Sequence, residues 1–247
     1  MADFIMSKRV MLGMLTPSSN TALEPITSAM VAQLPGVSAH FSRFRVTEIS
    51  LSDQALGQFD TTNIIQAARL LADAKVDVIA WNGTSSGWLG FETDRRLCRE
   101  IEDATGIRAT TSVLALNEIL DKTGVKKFGL VSPYLKDVQQ KIVANYRDNG
   151  IDCSSENHLG LKVNFQFSEV TEETLRAQIR EVAEHRPEAI VTFCTNLHAA
   201  HLASEVERHH GVPLYDTIST VVWKSLKLAG YDTTRLAGWG RLFSEVV

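Results

Sequence analysis

Three short segments recur in the same order along this chain, and that internal repeat constrains the fold more than any other feature. GMLTPS, starting at Gly13, returns as GLVSPY, starting at Gly129; VIAWNGTS returns as AIVTFCTN; and GIRATTS, starting at Gly106, returns as GVPLYDT, starting at Gly211. Each is an apolar run that ends in small or hydroxylated residues, the form of a buried strand running out into a loop. Two similar lobes are expected, one from residues 9–112 with 217–247 and the other from residues 113–216.

Around these repeats, VMLGML, VSAHFSRF, VDVIAW, IRATTS, KKFGLVS, AIVTFC and VPLYDT read as strands. TNIIQAARLLADA, YLKDVQQKIVANYRDNG and TEETLRAQIREVAEH carry a helical period, the second with a glycine stop and the third with a threonine start. Alternation of this kind predicts βαβ units, hence an α/β fold of two pseudo-symmetric lobes, each a mainly parallel sheet flanked by helices. Ligands of open parallel sheets sit at the carboxyl ends of strands, where all the repeated loops lie. Lobes facing one another would therefore share one cleft as the active site, with Gly83 opposite Cys194. In that arrangement Gly83→Cys would supply a second, facing thiol.

The remaining numbers exclude several classes of function. The 247 residues are 44% hydrophobic and 22% charged with net charge -4, so no basic excess points to nucleic acid or an anionic membrane. No apolar run approaches the roughly 18 residues of a membrane helix. The opening MADFIMSKRV lacks the core and cleavage site of a signal peptide, so a cytoplasmic protein is expected. Monomer and homo-oligomer both remain open. Cys98, Cys153 and Cys194 are odd in number and far apart, which predicts reduced thiols rather than a disulfide framework or a zinc site. Cys98 shares a helical face with Leu97 and Ile101 and reads as core. GxGxxG, Walker and HExxH motifs are absent, so no cofactor and no metal are expected. His198 and His201 follow Cys194 closely, but the cysteine ends a strand while the histidines fall in the next expected helix and need not share a face with it, which discounts metal ligation.

The loops supply the candidate chemistry. TPSSNT places Pro17, Ser18, Ser19, Asn20 and Thr21 between a strand and a helix, where hydroxyls, an amide and backbone N–H groups serve equally as a helix cap or as a carboxylate site. NGTSSG adds Thr84 and Ser85, which an ordinary turn would also use. FCTN puts Cys194 at the end of a strand, followed by Thr195, Asn196 and an expected helix whose N-terminus would lower the thiol pKa. An inert buried cysteine is the competing reading. Tyr134 ends the strand that repeats the TPSS strand and is placed to reach the same cleft, or to be structural. Asn164 interrupts an apolar run, as a ligand contact or as an exposed edge-strand residue would.

Taken in order, TPSSNT, NGTSSGW, SPYLKDV, FCTN and the closing GWGRLF resemble the Asp/Glu racemase superfamily, within it the maleate isomerase and arylmalonate decarboxylase branch, over nearly the whole chain. The resemblance implies two flavodoxin-like lobes, no metal or organic cofactor, and a small mono- or dicarboxylate substrate. Racemases and maleate isomerases carry a cysteine in each lobe; position 83 is glycine here. The GTS triplet, the single Cys194 and the GxGRLF ending are similar to the decarboxylases. That similarity implies a cofactor-independent decarboxylase of a substituted malonate or related small dicarboxylate. Thr84, Ser85 and Tyr134, with backbone N–H groups near Cys194 and Thr195, would hold a carboxylate and the enediolate, and Cys194 would protonate it. Asn20 and Asn164 look instead like the asparagines with which maleate isomerases hold carboxylates, and Asn164 would weaken an apolar wall around a departing carboxylate. The alternatives are an isomerase or racemase that works with one thiol, and a binding protein that has kept the cleft without the chemistry.

Overall fold

A computed structural model describes residues 9–246; the start of MADFIMSKRV, and Val247 at the end of the expected first lobe, lie outside the described residues. The first sheet contains β1 (Val10–Pro17), β2 (Val37–Phe44), β3 (Val78–Trp81) and β4 (Ala109–Thr111), in the order β2-β1-β3-β4. The second contains β5 (Phe128–Ser132), β6 (Glu156–His158), β7 (Ala189–Thr192) and β8 (Leu214–Asp216), in the order β6-β5-β7-β8. All pairings within both sheets are parallel. The expected α/β architecture of two lobes is the one adopted. Strand β6 has no counterpart in the sequence reading, because its residues ENH carry no apolar side chain and occupy a sheet edge.

Central strands β1, β3, β5 and β7 are buried almost throughout, as parallel strands covered on both faces must be. Repeat and register agree: Gly13 pairs with Ile79 in one sheet and Gly129 with Ile190 in the other. Both glycines do one job. A Cβ on Gly13 would stand 2.8 Å from Val76 Cγ2 and 3.2 Å from Leu71 Cδ1, beneath helix Thr61–Asp73. A Cβ on Gly129 would stand 2.9 Å from Val182 Cγ2, beneath helix Glu172–Ala183. Missing side chains thus let an equivalent helix settle on each central strand. Gly106 and Gly211, with φ of 71° and 74°, end helices Phe91–Thr105 and Ala203–His210 in the left-handed region that favours glycine.

The lobes meet through the equivalent helices that follow β4 and β8. Thr111 caps Ser112–Thr123 by accepting from Leu114 N at 3.0 Å, and Asp216 caps Thr217–Leu228 by accepting from Ile218 N at 2.8 Å. These two helices pack on one another, and Thr220 Oγ1 donates to Ser112 O at 3.0 Å between them. Helix Thr217–Leu228 also packs on β3 and β4, which carries the end of the chain back to the first sheet.

Gly13→Ala and Gly129→Ala are each expected to cost about 1–3 kcal/mol through overpacking, read as a lower urea midpoint at unchanged slope. An unchanged midpoint in both would mean that neither helix depends on the missing Cβ.

Candidate active site

The carboxyl ends of β1, β3 and β7 and the loop after β5 converge on one small cavity. It is lined by Pro17, Gly83, Thr84, Ser85, Tyr134, Asn164, Cys194 and Thr195, together with Val46, Ile49, Phe59, Trp81 and Trp88. Gly83 and Cys194, from opposite lobes, therefore share a wall-to-wall space, as the repeat requires. The cavity measures about 20 Å³, room for roughly one water molecule. Its cover is the segment from Val46 to Phe59, tied down by Ile49 N to Lys162 O at 2.9 Å, Asn164 N to Thr47 O at 3.0 Å and a Lys162–Glu48 ion pair at 3.0 Å.

Ser18 and Asn20 are not among the cavity-lining residues. Ser18 is exposed and exchanges hydrogen bonds with the backbone of Val46 at the base of the cover. Asn20 is buried with its amide spent on the protein: Nδ2 donates to Thr195 O at 2.9 Å, and Oδ1 accepts from Ala22 N and Leu23 N at 3.1 and 2.9 Å. Asn196 answers from the other lobe, its Oδ1 accepting from Thr21 N at 2.9 Å and its Nδ2 donating to Asn164 O at 2.6 Å. Thr195 Oγ1 donates to Asn82 O at 2.9 Å, a third tie between the lobes. TPSSNT is thus a clasp between the lobes as well as the start of a helix. Asn164 opens the short helix Asn164–Phe167 rather than occupying an edge strand, and its Nδ2 donates to Ser19 Oγ at 2.8 Å.

Cys194 departs from the expected electrostatics. No helix starts after it; a turn and the 3-10 segment Ala200–Leu202 precede helix Ala203–His210, so no helix N-terminus lowers the thiol pKa. Burial pushes the thiol up to about 12, offset in part by the Tyr134 hydroxyl and by the Asn196 N–H that reaches Sγ at 3.4 Å, while the charge of Asp216 raises it further. Burial therefore favours S–H over thiolate at this sulfur. Desolvation also pushes Tyr134 well above its ordinary value, and its hydroxyl is hydrogen-bonded to Thr84 Oγ1 at 2.6 Å. Buried Asp216, which accepts from Thr192 Oγ1 at 2.6 Å, is raised to about 6 by desolvation.

Gly83 does not face an empty notch. A Cβ there would stand 2.0 Å from Cζ2 of Trp81, so Gly83→Cys cannot be accommodated while that indole keeps its place. The histidines lie elsewhere: His201 Nε2 pairs with Glu172 at 2.8 Å. Among the described residues, no group of three or more His, Cys, Asp or Glu side chains could share a metal ion, and no helix is long and apolar enough to cross a membrane.

With this geometry in place, residues 12–243 match the sequence profile of the family described as arylmalonate decarboxylase. The chain belongs to the arylmalonate decarboxylase family. It is 27% identical to the arylmalonate decarboxylase of Bordetella bronchiseptica over 186 residues, 74% of this chain and 78% of that protein. It is 22% identical to the maleate isomerase of Geobacillus stearothermophilus over 239 residues, 92% and 95% of the two chains. A crystal structure of a cysteine-to-alanine variant of the maleate isomerase Iso from Pseudomonas putida S16 with maleate superposes with a TM-score of 0.88 at 23% identity, covering 96% of this chain and 98% of that one. Family membership thus spans a decarboxylase and an isomerase, and the two share this two-lobed fold.

Five cavity residues, Val46, Ile49, Phe59, Trp81 and Trp88, had no signal in the sequence. Val46 and Ile49 lie in a segment without strand or helix period, and Trp81 reads as one more apolar residue of a buried strand. Trp88 is the most informative of the five: its Nε1–H is buried and has no partner among the described residues.

A thiol moved from 9.0 to about 12 carries about a thousandfold less thiolate near neutral pH. Cys98 and Cys153 are also raised to about 12, chiefly by desolvation. Native protein at pH 7.5 should therefore show no fast-reacting thiol toward a disulfide reagent, and three after denaturation in urea. One fast thiol in the native state would mean that Cys194 rests as thiolate.

Proposed function

We propose that the protein is a cofactor-independent decarboxylase of a substituted malonate, with Cys194 as the acid that protonates the enediolate. One observation supports this reading: the single thiol on the cavity is buried, which raises its pKa to about 12, and position 83 has no side chain to provide a second acid–base group. A resting thiol has a proton to give; a covalent or two-base mechanism needs a thiolate. Val46, Ile49, Phe59 and the two indoles form an apolar wall beside the hydroxyls of Thr84, Ser85 and Tyr134. The carboxylate held by hydroxyls and turn N–H groups stays. The one pressed against the apolar wall is desolvated, and leaves as neutral carbon dioxide.

The C–C bond breaks with its electrons left on the α-carbon and delocalised into the retained carboxylate as an enediolate. Donors aimed at that oxyanion stabilise it by a few kcal/mol each. Cys194 S–H then transfers its proton to carbon on the face it occupies, and the resulting thiolate is reprotonated from water. The net reaction consumes one proton and yields carbon dioxide and a monocarboxylate of one hand. Trp88 Nε1–H is buried without an acceptor among the described residues, and a substrate carboxylate oxygen supplies one. Asn20 does not compete for the substrate, since both ends of its amide are bonded within the protein. That removes one of the two asparagines behind the isomerase alternative.

Incubation with aryl- and alkylmalonates in deuterated water should release carbon dioxide and place one deuterium enantioselectively. Conversion of maleate to fumarate, or exchange without carbon loss, would instead establish an isomerase or racemase, and binding without turnover a carboxylate-binding protein. Cys194→Ala should abolish turnover with the circular dichroism spectrum unchanged; full activity would remove the sulfur from the mechanism. Trp88→Phe keeps the ring and deletes the donor. It should raise KM roughly tenfold or more, the cost of one hydrogen bond to a charged group, and an unchanged KM would show that the indole N–H faces no substrate.

A further inference from the structure

Two independent observations meet at Trp81. The first is steric: a Cβ built on Gly83 would lie 2.0, 2.4 and 2.6 Å from Cζ2, Cε2 and Cη2 of the indole, far inside contact distance. The ring is 1% exposed and packed on Phe44 with centroids 4.9 Å apart, so moving it would break that contact. The second is the layout of space. Trp81, Phe59 and Ser85 line the cavity that holds Cys194 and also a neighbouring chamber of about 70 Å³, which Ile64, Leu97 and Asp94 help to bound.

We propose that Trp81 determines the specificity of this site: its indole takes the volume that a second acid–base side chain at position 83 would need, and it is the partition that keeps the substrate's substituent out of the chamber behind. The first half stands on geometry alone; the second rests on the decarboxylase reading above. Trimming the indole joins the chamber to the cavity. The chamber then accepts a neutral aromatic or branched substituent, with the buried Asp94 carboxyl and the exposed Arg96 guanidinium both on its lining.

A double-mutant cycle tests the steric half with no reference to activity. In the native background, Gly83→Cys should lower the melting midpoint by about 4–10 °C. In a Trp81→Leu background the same change should cost less than a third as much; equal costs in the two backgrounds would overturn the proposal. Trp81→Phe serves as a second background, since it keeps a ring against Phe44 while withdrawing the atoms nearest position 83. For the substituent half, kcat/KM for benzylmalonate relative to methylmalonate should rise tenfold or more in Trp81→Phe and Trp81→Leu. An unchanged ratio would show that Trp81 does not partition the site. If the native enzyme turns over neither malonate, the decarboxylase reading fails by itself. The same ratio is then read from the ligand-induced shift in melting midpoint, and the stability cycle decides the steric half regardless.

Discussion

The site depends on a reciprocal exchange of hydrogen bonds between the two lobes. Asn20 reaches from the first lobe to the backbone and hydroxyl of Thr195, Asn196 reaches back to the N–H groups of Thr21 and Ala22, and Thr195 closes on the Asn82 carbonyl. Both asparagines are 1% exposed, so separating the lobes here would leave several buried polar groups unpaired at about 1–3 kcal/mol each. The same residues flank Cys194 and Gly83 in sequence. Whatever holds the lobes in register therefore also holds the sulfur over the cavity.

In the proposed decarboxylation, one physical environment would serve both the acid and the leaving group. Low polarity around Cys194 disfavours charge on sulfur, which keeps the proton in place until something more basic arrives. An enediolate carbon is more basic; a malonate carboxylate is not. The apolar wall that makes the thiol reluctant to ionise is the wall against which a carboxylate is destabilised relative to carbon dioxide. Trp81 contributes to that wall and stands where a side chain at position 83 would stand.

Much of this was legible in the sequence because repetition is legible. Gly13 and Gly129, Gly106 and Gly211, and the loops at 82–86 and 193–197 occupy equivalent positions in the two sheets, and aligning them was enough to bring Gly83 and Cys194 together. Thr84, Ser85, Tyr134, Asn164 and Thr195 also reach the cavity. Asn20 reads as a ligand because an asparagine between a strand and a helix looks the same whether its amide faces a substrate or another loop. The thiol pKa reads in the wrong direction because a helix is expected at residue 195, where the chain makes a turn.

The sequence by itself determined the class of fold, the two copies and the identity of the lone sulfur, since strand period, glycine placement and residue type are local properties. The tertiary structure alone decided the burial that raises the Cys194 pKa, the occupation of the space beside Gly83 by Trp81, and the placing of Val46, Ile49 and Phe59 on the cavity. Those are properties of distance and burial between segments far apart in the chain. Dielectric environment and excluded volume belong to the assembled interior, and no single stretch of residues contains them.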